Sequence, residues 1–112
     1  MTDETETVEP DHIKIFNDVD HHRFVIEVEG KVAGFAVYHI RGGRHLFVHT
    51  EIDPSFEKQG LGSKLIKAAL DEVAADGGTV VPLCPFVRAW IKRHPEYDSL
   101  VDHELLATIE KA

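Results

Sequence analysis

The sequence predicts an α/β fold built on one mixed, mostly antiparallel sheet. Two observations carry this expectation. The hydrophobic pattern alternates with a period of two from residue 12 to about residue 52, then takes a helical period from residue 61. The strands come first, and a helix, a short strand and a second helix follow, with one right-handed crossover to a parallel strand. At 112 residues there is room for a single core, placed at 12–112.

The elements follow in order. "IKIF" alternates apolar and polar residues, and Asn17-Asp18 with Asp20 supplies turn chemistry. "RFVIEVEGKVAGFAVYHI" reads as two strands joined at Glu29-Gly30-Lys31. Arg41-Gly42-Gly43-Arg44 makes the next turn and "HLFVHTEI" the fourth strand, which Asp53-Pro54 stops. Leu61, Leu65, Ile66, Ala69, Leu70 and Val73 form one stripe of a helix, with Lys67 and Asp71 paired on another face. Gly77-Gly78 provides its C-terminal cap. "TVVPLC" is a short strand after this crossover, parallel to the fourth. "PFVRAWIKR" is a second helix, with Pro85 in its first turn and Phe86, Val87, Trp90 and Ile91 on one side. His94-Pro95 ends it, and "LVDHELLATIEKA" fits either a last strand or a short helix.

The net charge of −8 divides unevenly. Residues 1–11 hold Asp3, Glu4, Glu6, Glu9 and Asp11 and no base, which is the composition of a disordered acidic tail. Removing these five acids from 20 leaves 15 against 12 bases, or −3 for the body. Phosphate neutralisation on nucleic acid is therefore not expected. One cysteine excludes an internal disulfide. The opening MTDETETVEPD lacks the basic start and apolar stretch of a secretory signal, and no apolar run is long enough to span a bilayer, so a cytoplasmic location is expected. Eight histidines raise the question of a metal, but none forms a His-x-x-x-His pair on a helix, and no metal is expected.

"KQGLGSKLIKAAL" places glycines 60 and 62 at the mouth of the long helix. A helix start carries unpaired N–H groups and a partial positive charge, so an anion can approach a backbone left bare. Ser63 adds a hydroxyl, and Lys58 and Lys64 add charge. These are the ingredients of a diphosphate cradle. Glycines in a strand–helix loop also serve chain geometry alone, and both the Walker spacing and the three-glycine dinucleotide spacing are absent.

"DPSFEKQGLGSKLIKAAL" resembles the acyl-CoA-binding segment of the GNAT superfamily of N-acetyltransferases, written (Arg/Gln)-x-x-Gly-x-(Gly/Ala). "HTEIDP" and "VVPLCPFVRAWIKRHPEY", a Pro-Leu-Cys-Pro and a His-Pro-Glu-Tyr signature, resemble a branch of very small single-domain members. One departure is Glu57, where the superfamily usually has Arg or Gln. The resemblance implies a minimal GNAT-like fold with two main helices and splayed fourth and fifth strands, the gap holding the cofactor arm. It implies acetyl-CoA (coenzyme A) as cosubstrate, with Gln59, Gly60, Leu61, Gly62, Ser63 and Lys64 as loop contacts and Thr50 and Ile52 as strand contacts. Pro82 fits such a splay, since it has no N–H for a ladder, although an edge strand tolerates proline equally.

Acetyl transfer to an amine needs a base, an oxyanion site and an acid for the departing thiolate. His49 and Glu51 lie two apart on the fourth strand and should share a face, with His45 on the same parity. An imidazole suits base work near neutral pH, but a strand histidine also serves as a hydrogen-bonded structural group, and Glu51 as a solvated one. Cys84 lies at a strand-to-helix junction, where a helix start favours an anion. It is either an acyl-accepting nucleophile, a proton donor or a buried small hydrophobe. The tyrosine acid common in the superfamily has no clear match, Tyr97 lying beyond the helix end.

Only "NDVDHH" separates the first two strands, where many family members insert helices that shape the acceptor site. The acceptor pocket is then open, or completed by the substrate or by another chain, which leaves room for a homo-oligomer. An open site favours an amine of a peptide, protein or polyamine. The rival readings are a non-catalytic acyl-CoA-binding module and a domain kept for protein interaction.

Overall fold

The structure, a computed structural model, describes residues 12–57 and 59–111. The acidic segment 1–11 and Lys58 lie outside the described residues. Five strands form one sheet in the order β1 (Ile13–Asp18), β2 (Arg23–Val28), β3 (Lys31–Arg41), β4 (Arg44–Ile52), β5 (Thr79–Pro82). The first three pairings are antiparallel and β4–β5 is parallel. The β2–β3 turn at Glu29-Gly30 and the β3–β4 turn at Gly42-Gly43 both have two residues at positive φ. That mirror-image turn matches the twist of the strands it joins. A single 3-10 turn, Val19–His21, connects β1 and β2.

Helix α1 (Leu61–Ala75) links β4 to β5 and buries the predicted stripe: Leu61, Leu65, Ile66, Ala69, Leu70 and Val73. These pack on Phe24, Ile26, Ala36, Tyr38 and Phe47 from one face of the sheet. Full burial of each large aliphatic side chain contributes about 1.5–3 kcal/mol. The helix ends as predicted: the Gly77 N–H donates to Ala74 O at 3.0 Å and the Gly78 N–H to Val73 O at 2.9 Å, the paired bonds of a Schellman cap. Lys67 and Asp71 are paired at 2.9 Å.

Helix α2 (Pro85–Arg93) adds Val87, Trp90 and Ile91 to the same core. The segment after Tyr97 combines both alternatives the sequence left open. Val101 makes a one-residue parallel bridge to Val80, and α3 (His103–Lys111) follows. Asp102 caps α3 by accepting from the Leu105 N–H at 2.9 Å, and its other oxygen accepts from Arg44 Nε at 2.7 Å. The Leu105 amide, then Arg44, holds the Asp102 carboxyl below its ordinary range.

Two irregularities in the sheet shift its register. Between Val37 and Tyr38 the partners on β4 jump from His49 to Phe47, so Val48 is an extra residue. A similar shift between Ile26 and Glu27 makes Ala33 extra on β3. A bulge of this kind reverses which residues of a strand face the core.

Candidate functional site

The site begins where β4 outruns β5. The parallel ladder covers Arg44–Phe47 against Thr79–Pro82, and the Cys84 N–H donates one further bond to Phe47 O at 2.8 Å. Pro82 has no N–H, and the next amide, Leu83, turns back to Val81 O at 3.1 Å. The rest of β4, from His49 to Ile52, pairs with β3 but extends past the end of β5. The two strands part as the resemblance implied, and a cleft opens between them.

That cleft is a cavity of about 450 Å³. One wall is the end of β4, with Thr50 and Ile52. The opposite wall is the start of α1 from Gly60 to Ser63. Phe56 and Glu57 close one side and Phe86 of α2 the other. Of the eight residues expected to contact a cofactor, Thr50, Ile52, Gly60, Leu61, Gly62 and Ser63 line this cavity, whereas Gln59 and Lys64 are not in its lining.

The two glycines do different work. Gly60 is the N-cap of α1 at φ +72°, a left-handed conformation, and a Cβ there would meet no atom within 4 Å. Among the described residues no side chain caps this helix start. The first amide to bond back into the helix is that of Lys64, to Gly60 O at 3.3 Å. The N–H groups of Leu61, Gly62 and Ser63 precede it and have no carbonyl within the helix to reach. Gly62 instead answers to packing, since a Cβ there would lie 2.7 Å from Phe86 Cζ. Its bareness makes room for the protein's own ring.

Helix α2 also starts at the cleft without a side-chain cap, with Cys84 at the N-cap and Pro85, which has no N–H, at the first position. Both helix starts direct partial positive charge to the same region. Glu57 is exposed and at the rim, so its carboxylate opposes part of that field.

Cys84 is buried, and its Sγ–H points to Thr50 Oγ1 at 3.5 Å. It is therefore in contact with a cleft-lining residue. His49 and Glu51 are paired with each other at 3.1 Å and are both well exposed. The Val48 bulge corrects the expected parity. His45 lies on the core face with Tyr38 and Phe47, while His49 and Glu51 lie on the opposite face beside Val37 and Phe35. The structure thus brings Cys84 together with Thr50 but sets His49 and Glu51 across the strand. Arg88 is held by Glu110 of α3, and Tyr97 donates its hydroxyl to Asp71 at 2.8 Å.

The family model for GCN5-related N-acetyl-transferases matches residues 23–100, well over half of the chain. The chain belongs to the GCN5-related N-acetyltransferase family. Among solved structures, a GCN5-like protein from Staphylococcus aureus superposes with a TM-score of 0.62 at 19% identity, over 79% of this chain and 86% of that one. The Escherichia coli ribosomal-protein-S18-alanine N-acetyltransferase gives 0.51 at 26% identity, over 57% of this chain. This chain spans only 43% of the Escherichia coli enzyme.

Sequence reasoning missed Phe56 and Phe86 as cleft residues. The helical stripe assigned Phe86 to the core because it sits four residues before Trp90. At the end of a helix that stripe overhangs the core, and Phe86 is 40% exposed.

The opposite face of the sheet remains partly open. Phe16 and Phe35 are half-buried there, with Lys14 Nζ and Arg23 Cζ each 5.4 Å above a ring. Among the described residues no helix is long and apolar enough to cross a membrane.

Proposed function

We propose that this protein binds acetyl-CoA in the cleft and transfers the acetyl group to an amine. The observation that carries this reading is the uncapped start of α1, whose Leu61, Gly62 and Ser63 amides border a cavity of the family's cofactor-binding segment. They would hold the diphosphate, and the end of β4 at Thr50 and Ile52 would take the cofactor arm. The Pro-Leu-Cys-Pro and His-Pro-Glu-Tyr signatures support a place among the very small members of the family.

For the chemistry, the amine approaches from the sheet face that carries the His49–Glu51 pair and meets the thioester where β4 and β5 part: Glu51 orients the imidazole, which takes a proton from the acceptor's ammonium group. The freed amine forms a bond to the thioester carbonyl carbon, and the carbon–sulfur bond breaks. Cys84 acts as proton source for the departing thiolate. Its S–H already donates to Thr50, an arrangement that suits an acid better than a nucleophile. Both groups then re-equilibrate with water. The open sheet face beside His49 suits an amine on a peptide, protein or polyamine, with a second copy of the chain as a candidate cover.

A panel of such amines with acetyl-CoA, read by thiol release and mass spectrometry, tests the proposal. Amine acetylation with no acetyl adduct on Cys84 is expected. CoA binding without turnover on any amine would overturn the catalytic reading in favour of a binding module.

A further inference from the structure

The indole of Trp90 is buried, yet its Nε1–H reaches a cleft residue, donating to Ser63 Oγ at 2.8 Å. Ser63 is exposed and lines the cavity. A serine hydroxyl has one proton and two lone pairs. With one lone pair taken by the indole, its proton is left to donate elsewhere. A serine in a first helical turn otherwise tends to bond to local backbone groups, which would turn its proton away from the cleft.

The indole itself is fixed. His94 stacks on it with centroids 3.8 Å apart and planes at 16°, and Tyr97 meets it edge-on at 4.9 Å. The His94 Nδ1–H donates to Trp90 O at 2.8 Å. Tyr97 is in turn tied to Asp71 of α1. The ring cannot rotate its N–H away from Ser63 without breaking these contacts.

We infer that Trp90 is a positioning residue for the anion site: its indole N–H holds Ser63 so that the hydroxyl donates into the cleft, toward the cofactor diphosphate. This rests on the proposed binding of acetyl-CoA. Successive hydrogen bonds polarise one another, so a hydroxyl that accepts from an indole is a stronger donor to an anion.

The test is a double-mutant cycle on CoA affinity, measured by calorimetry for the wild type, Trp90→Phe, Ser63→Ala and the double variant. Phenylalanine keeps a ring and removes the N–H. Trp90→Phe is expected to weaken CoA about two- to tenfold when Ser63 is present and to have no further effect in the Ser63→Ala background. The same fold-change in both backgrounds, or none in either, would overturn the inference.

A second measurement needs no change at Trp90. The chain has one tryptophan, so nitrogen-15 spectra contain a single indole N–H signal. That signal should move on titration with CoA and should respond much less in Ser63→Ala. If the amides of residues 60–63 move while the indole signal stays still, Trp90 serves packing alone. If the wild type does not bind CoA, the proposed function falls and this inference with it.

Discussion

The starts of α1 and α3 face the same physical problem and meet it differently. Each helix begins with amides that no internal carbonyl can satisfy. At α3, Asp102 accepts from the Leu105 amide and is itself clamped by Arg44, so the start is sealed by the protein's own carboxylate. At α1, glycine replaces the capping residue, and the amides open on a cavity instead. Glycine in place of a capping side chain forgoes only roughly a few tenths of a kcal/mol, which the buried stripe of α1 offsets with one large side chain. The sealed start serves the fold, and the bare start is available to a ligand.

Exchanging features between the two starts gives the largest expected effects. Gly60→Asp puts a carboxylate at the bare start and should weaken CoA by at least about tenfold, through repulsion between anions. The melting temperature should also fall, because Gly60 sits at φ +72°, where a side chain strains the backbone even though the space around it is open. Calorimetry alongside thermal melts checks both. Retained affinity would mean that the anion does not bind at this helix start.

Asp102→Ala strips the sealed start. A lost cap predicts a fall of about 4–8 °C in melting temperature with CoA affinity unchanged. Gly62→Ala is predicted to weaken CoA by pressing Phe86 into the cleft. Adding Phe86→Ala should relieve the collision, so the double variant should bind more tightly than Gly62→Ala alone. Failure of that rescue would separate Gly62 from Phe86.

A smaller effect comes from the far end of α1. His45 packs between Tyr38 and Phe47, and its Nδ1 is buried without a hydrogen-bond partner among the described residues. Burial holds its pKa below the ordinary 6.5, partly opposed by Asp76 and Glu72. The unfolded chain therefore takes up this proton first. The stabilisation from the neutral ring is complete above about pH 6.5 and declines as pH falls toward the lower folded value. Melting curves of wild type and His45→Phe across pH 5–8 should converge in slope above that range and diverge below it.

The strands, both hairpins, the α1 stripe and its glycine cap were legible because each has a local period or a local turn requirement. The cleft position of Thr50, Ile52 and residues 60–63 was legible through the family resemblance more than through the glycines. The face of His49 and Glu51 relative to His45 was not, because counting by twos assumes an unbroken strand. The three consecutive apolar residues Leu46, Phe47 and Val48 were the one trace of the bulge that reverses it. The start of α3 was missed although an aspartate stood at its N-cap, since the preceding Leu100-Val101 reads equally as a strand. Trp90 was legible as one of the residues on the apolar side of its helix, but no spacing rule indicates where a buried indole sends its N–H.

The most direct measurement of the central claim is a crystal structure with CoA in excess. The account predicts the diphosphate within hydrogen-bonding distance of the Leu61, Gly62 and Ser63 amides, with the arm running along Thr50 and Ile52. CoA seated elsewhere, or a well-ordered cleft left empty at saturating ligand, would contradict it.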